Sequence, residues 1–574
     1  MEQILIPGYF DLYGDRPTTY EQIVSQLPSE VLIISAAALN DELYERQGDP
    51  QVQAALIQRV AARFPLWDRQ DFAQRLKAYR VRSGFAISNV LFKRIIFLEL
   101  ITHEIHRNAQ FELTNDSPQQ EVSLLKAYFL TVDRLHLRNS LSYKRAIDAP
   151  EDEHSMYREL WVPVLYQYQY NDHPFGPYHY YKLTSFLLYN LHHQRAYLRE
   201  YLHARGVTRI SELMNSFYQL TLVAARFNTE QFLPGLKYVK PLPGIDTKHL
   251  DSMTINGEWG KPIDLNRLKR FPLYLREDRG YVILDRGLFY RKIYLGPYFE
   301  LFYDTSLLSK MDFNEYSGTI AKDVVEEICF KHILEEITHP TGSLLVFDTD
   351  GPKFPDGYYR YGSHALLFEM KAYILKDALP DEPDFDTLKA YLDNRFINSD
   401  GKKKKGIGQL CQKLELLARG QAPFDPSLSK DLAGKKLTVY PIICFDDFNF
   451  TLPGINDYLA KRLEEILSET ARAALDIRPL VLVNLDILFR FASGKGSFDQ
   501  VRMVLDQYLS IIKTRHDNYR RTNDRNLWLQ SMASLDELFH MLIFDRVSEG
   551  WRSLEMKELL AKQHVTQELL DTVV

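Results

Sequence analysis

The chain has 574 residues, 45% hydrophobic and 25% charged, with a formal net charge of -6, which excludes a disordered polyelectrolyte and a protein coated uniformly in positive charge. One core does not serve so long a chain, so two or three domains are expected. The 35 Tyr and 33 Phe require extensive burial, and the three cysteines fit neither a disulfide framework nor a Cys-based zinc site.

Cys329, Cys411 and Cys444 point to a reducing compartment, and the N-terminal MEQILIPGYFDLYGD has no basic stretch followed by an apolar one. No apolar run approaches the roughly 18 residues of a membrane span. A cytoplasmic protein with no membrane partner is therefore expected. From about Tyr20 to Phe227 apolar residues recur three and four apart. Helices are predicted at Gln51 to Phe64, Gln70 to Tyr79, Val90 to Ile105, Thr184 to Arg205 and Ile210 to Arg226. Pro and Gly then concentrate between Phe232 and Asp264, the composition of a linker or crossing segment.

Beyond it the period changes. Strands are predicted at Phe271 to Leu275, Gly280 to Leu284 and Phe289 to Leu295, then a helix near Ser317 to Ile337. Further strands follow at Ser343 to Phe347, Tyr358 to Tyr361 and Ala365 to Tyr373. A helix at Ile407 to Arg419, strands at Leu437 to Phe445 and Pro479 to Val483, and helices to the end complete the reading. The pattern divides into a mainly helical region (1–230), a linker (231–265), an α/β or α+β region (266–450) and a helical extension (451–574).

The residues that carry chemistry lie between Phe354 and Tyr373. Alternation along a strand puts Leu366, Phe368, Met370 and Ala372 on one apolar face, so Glu369 and Lys371 project together from the other. A hairpin through Gly362 and Ser363 returns Asp356 towards Glu369. Each residue alone also suits an ordinary hairpin surface, where opposite charges are common. Together, two carboxylates at a strand edge suit Mg²⁺, which takes oxygen ligands and is held by one or two carboxylates plus substrate phosphate. A metal so placed activates water against a phosphodiester, and the neighbouring ammonium orients that water or stabilises charge on phosphorus.

Pro355-Asp356 followed by Glu369-Met370-Lys371 resembles the motif of the PD-(D/E)XK, or restriction-endonuclease-like, nucleases. The resemblance covers roughly Ser317 to Phe445. It implies a restriction-endonuclease-like α/β core, Mg²⁺ (or Mn²⁺) as cofactor and DNA as the nucleic-acid partner. Such enzymes often serve in bacterial defence against foreign DNA. The family places an acidic residue on a helix before the hairpin, and Asp323, Glu326 and Glu327 are the candidates, with Asp323 and Glu327 taken as ligands beside Asp356 and Glu369. It also has a helix after the Glu-x-Lys strand, where Gln409 matches the supporting glutamine. Lys402, Lys403, Lys404 and Lys405, with Lys413 on the same helical face as Gln409, are candidate phosphate contacts. The large first half suggests controlled activation or target selection, and a homo-oligomer or an activating partner protein is among the expected partners. The alternative is a non-catalytic module that keeps a nuclease-like fold to bind nucleic acid or a partner.

Other signals are discounted. His103-Glu-Ile-His106 lacks zincin spacing, and Ser493-Gly-Lys-Gly-Ser497 lacks that of a P-loop. The aromatic stretch Tyr166 to His193 reads as core, and Asp446-Asp447 as an acidic start to a loop.

Overall fold

The computed structural model describes residues 6–14, 19–24, 27–44, 46–62, 64–83, 91–110, 119–148, 154–168, 176–226, 238–239, 247–277, 280–348, 353–375, 384–399, 403–432, 434–544 and 566–574. It is a mixed α/β protein. A small antiparallel sheet joins β1 (Tyr238–Val239), β2 (Leu273–Leu275) and β3 (Tyr281–Ile283). The principal sheet has six strands: β4 (Leu344–Phe347), β5 (Gly357–Tyr361), β6 (His364–Lys371), β9 (Thr438–Phe445), β10 (Asp476–Ile477) and β11 (Val481–Asn484). Between them, β7 (Asn398–Ser399) and β8 (Lys403–Lys404) form a separate two-stranded pair.

β4, β5 and β6 run antiparallel, while β9 lies parallel to β6 and pairs in parallel with β10 and β11. The β5–β6 hairpin closes through Gly362 and Ser363 as alternation requires, with Tyr361 opposite His364 and Gly362 at φ 56°, where a side chain would be strained. A one-sided apolar strand is expected at β6, but both faces are covered. Leu366, Phe368 and Met370 join Tyr440, Ile442 and Val483 in one core; Ala365 and Leu367 join Val439, Ile443 and Leu482 in another. Central parallel strands between helical layers read as continuous apolar runs, and all eight residues of β9 are buried.

The apolar cores run across the expected sequence ranges. Trp161, on the helix Ser155–Tyr168, belongs to the core shared by β9 and the helix Ile407–Ala418. Residues of the helix Pro177–His193 pack in the core on the opposite face. A third core gathers the helices up to Leu135 with Tyr274, Val282 and Leu288. It is tied to the rest by the buried Arg94–Asp285 ion pair (2.5 Å) and by Arg286–Asp41 (2.6 Å).

Two predicted elements differ. Phe289 to Leu295 is not a strand but part of the helix Arg286–Tyr303. Its aromatic content favours a strand, yet Asp285 caps the N-terminus by accepting the Leu288 N–H (2.7 Å), and burial on several sides suits the helix. The predicted helix Thr184 to Arg205 is broken at Gln194 into Pro177–His193 and Arg195–Ala204. Among the described residues no helix is long and apolar enough to cross a membrane.

Candidate active site

Hairpin register builds the site. Gly357 pairs with Phe368, which sets Asp356 opposite Glu369 at the open end of the ladder. Asp356 is locked there by accepting the Met370 N–H at 2.7 Å. Gly357 is needed for close approach, since a Cβ at that position would lie 2.9 Å from Leu334 Cδ1 and 3.2 Å from Phe330. Both belong to the helical rod that carries the remaining acids. That rod runs as α-helix Phe313–Ile320, π-helix Ala321–Phe330 and α-helix Lys331–Glu336.

Glu369 is fully buried (0%) and Asp356 nearly so (8%). Lys371 Nζ donates to Glu369 Oε1 at 2.7 Å and to the Met370 carbonyl at 2.9 Å, and stands 3.9 Å from Asp356 Oδ2. Glu369 Oε2 is buried and accepts no hydrogen bond from any of the described residues. Burial, with the Asp356 charge second, pushes the Glu369 carboxyl up to about 8. Burial likewise raises Asp356 against the opposing pull of Lys371. Lys371 itself loses charge stability by burial, but Glu369 and Asp356 outweigh that and hold its ammonium above the usual lysine range.

The three acids on the π-helix go to different places. Tyr189 donates to Asp323 Oδ2 at 2.7 Å, and Asp323 does not belong to the group that Glu326 forms with Glu327 and Asp348. Glu327 receives Lys331 Nζ at 2.7 Å. Glu326 is raised to about 7, by burial first and then by Asp356 and Asp348. Ligand atoms of Glu326, Glu327 and Asp348 lie within 4.8 Å of one another. Asp348, directly after β4, escaped the sequence reading; Lys331 Nζ reaches it at 2.8 Å, and its charge acts on both Asp356 and Glu326. The available signal was a carboxylate closing a short apolar strand, the same pattern that marks Asp446 after β9.

The second set of predicted residues lies on or before the helix Ile407–Ala418. Gln409 is turned back on its own helix, where its side chain accepts the Gly406 N–H at 2.9 Å. Lys413 is not a surface phosphate contact. It is 3% exposed, burial lowers its pKa, and its charge acts on Glu369, Asp356 and Asp348. Lys403 and Lys404 form β8, Lys405 donates its backbone N–H to the Ile397 carbonyl, and Lys402 lies outside the described residues.

Lys331 pairs with Glu327 and Asp348, and Lys371 with Glu369 and Asp356, so the ammonium groups are shared among the carboxylates. The oxygen-only donor set and the unpartnered Glu369 Oε2 fit Mg²⁺ or Mn²⁺. No family model matches this chain, and neither does any curated protein or solved structure.

Proposed function

We propose that this protein is a metal-dependent nuclease that hydrolyses phosphodiester bonds in DNA, with Asp356, Glu369 and Lys371 at its centre. The observation that carries the reading is Glu369: a fully buried carboxylate beside a second one, with one oxygen bound to Lys371 and the other without a hydrogen-bond partner among the described residues. Burying such a group uncompensated costs several kcal/mol, so folds retain one where an ion or reacting group compensates it. DNA as substrate, and the restriction-endonuclease-like character of the core, rest on the motif resemblance.

Asp356 and Glu369 would hold the cation, with Glu326, whose carboxyl feels the Asp356 charge, as a further acid. Bound there, a divalent cation polarises the phosphodiester and lowers the pKa of a water. The chain's own groups do the rest. Lys371, anchored between Glu369 and Asp356, keeps its proton and presents positive charge where charge develops on phosphorus. Lys413 supplies a second buried positive charge to the same carboxylates. Apolar β6 and β9 keep water from the inner side of Glu369, so the electrostatic interactions act at reduced screening.

The test is cleavage of supercoiled plasmid in Mg²⁺, Mn²⁺ or EDTA by wild type, Glu369→Gln and Lys371→Ala. Metal-dependent nicking by wild type alone is expected. Nucleic-acid binding without cleavage, indifferent to EDTA and to both substitutions, would instead identify a non-catalytic binding module.

A further inference from the structure

The side-chain alternation of β6 continues past its end. Ala372 packs against the core of Phe368 and Met370, and Tyr373 against the opposite core, which holds Ala365, Leu367 and Phe396. Tyr373 therefore stands on the same face of the sheet as Glu369 and Lys371. Its hydroxyl is close enough to act on the charge of Lys371, in the direction that holds the proton there. Over Tyr373 lies Arg395, from the last turn of the helix Phe385–Phe396, with its guanidinium carbon 4.9 Å from the ring centroid and 5.5 Å from that of Tyr391. Tyr391 is fixed in turn by donating to the Ile374 carbonyl at 3.0 Å, which ties this helix to the end of β6.

Arg395 makes no ion pair among the described residues. Asp393, on the same helix, pairs instead with Lys389 at 3.1 Å and Arg462 at 3.8 Å. The helix dipole favours a cation in the last turn but supplies no counter-ion. Stacking on tyrosines covers the face of a guanidinium and leaves its edge, the fork that matches a phosphate bidentately. The lysine run comes to the same corner through its backbone. β7 and β8 pair Asn398 with Lys404 and Ser399 with Lys403, and the Lys405 N–H reaches the Ile397 carbonyl. Gly406 sits so close that a Cβ there would lie 2.8 Å from the Phe396 carbonyl oxygen. Lysines are thus set against the residues that follow Arg395, a local basic stripe in a chain of net charge -6. We infer that Arg395 binds a backbone phosphate of the DNA substrate, flanking the one held at Asp356 and Glu369. The inference rests on the nuclease reading for its ligand class, and it adds the course of the strand: past Tyr373 towards the end of the helix Phe385–Phe396 and the lysine run.

The experiment measures binding of a duplex oligonucleotide to the full chain carrying Glu369→Gln over a series of salt concentrations. Adding Arg395→Gln should weaken binding roughly tenfold and lower the slope of log affinity against log salt by about one. A merely structural role for Arg395 would leave that slope unchanged. Single phosphates replaced along one strand by uncharged methylphosphonate locate the contact. One flanking position should cost the Glu369→Gln chain roughly tenfold in affinity and cost the Arg395→Gln double variant little. Should that variant not fold, Arg395→Lys, which keeps a charge but loses the fork, should retain the salt slope and show a smaller loss at that position. Unchanged slope and methylphosphonate profile, in a protein whose wild type cleaves plasmid, would overturn the contact and leave the nuclease reading standing. A lowered slope with a position-specific loss, in a protein whose wild type never cleaves, would support the contact and remove hydrolysis. Absence of any nucleic-acid binding would overturn both.

Discussion

Replacing Glu369 by Gln should abolish cleavage and yet stabilise the protein at alkaline pH. The folded environment raises this carboxyl from its ordinary 4.5 to about 8, chiefly by burial. A group that binds its proton more tightly folded than unfolded contributes stability fully below pH 4.5, and loses it as pH rises from there to about 8. At 1.36 kcal/mol per pH unit the interval amounts to about 5 kcal/mol, an upper bound because Lys371 and Asp356 titrate in concert with Glu369. Glutamine keeps the shape and carries no charge, so the variant escapes the alkaline penalty. Urea unfolding at pH 5 and pH 8.5, in EDTA, should show the two proteins close at pH 5 and the variant ahead by about 2 kcal/mol or more at pH 8.5. Saturating Mg²⁺ should narrow the gap from the wild-type side only, by about 2.7 kcal/mol at a hundredfold excess over Kd. A variant equal to or weaker than wild type at both pH values would refute the claim that burial outweighs Lys371 in setting the proton affinity of Glu369.

Further outcomes follow from the same geometry. Lys371→Met strands two buried carboxylates without their nearest cation, and should cost about 3–5 kcal/mol by chemical denaturation while eliminating nicking. Glu326→Gln should weaken Mn²⁺ binding, measured calorimetrically, at least tenfold. Asp323→Asn should leave that affinity unchanged, because Asp323 stands outside the group formed by Glu326, Glu327 and Asp348, and should cost about 1 kcal/mol of stability through the Tyr189 hydrogen bond. Gln409→Ala removes a helix cap and should cost about 1 kcal/mol with nicking rates within a few-fold of wild type; a hundredfold loss would place the glutamine at the chemistry instead.

Much of the hairpin is local and was legible in the residues themselves. Leu366, Phe368 and Met370 alternate with Leu367, Glu369 and Lys371, Gly362-Ser363 supplies the turn, and the count from Asp356 to the turn and back to Glu369 sets them opposite one another. Side-chain alternation and turn length are properties of the strand alone, so they need no partner. What required the tertiary structure is everything set by an approaching element. The choice among Asp323, Glu326 and Glu327 was not readable, because the helix is π-wound there, with the Lys331 N–H bonded to the Glu326 carbonyl, and a 3.6-residue period assigns its faces wrongly. Tyr189, 134 residues earlier, binds Asp323, and Asp348 arrives from a separate strand to group with Glu326 and Glu327. Lys413 reads as a solvent-seeking lysine until the sheet covers it, and Glu369 as an exposed partner of Lys371 until a second layer of helices closes over that face. Periodicity encodes which way a side chain points; burial, and with it every shifted proton affinity in this site, depends on what packs against that side.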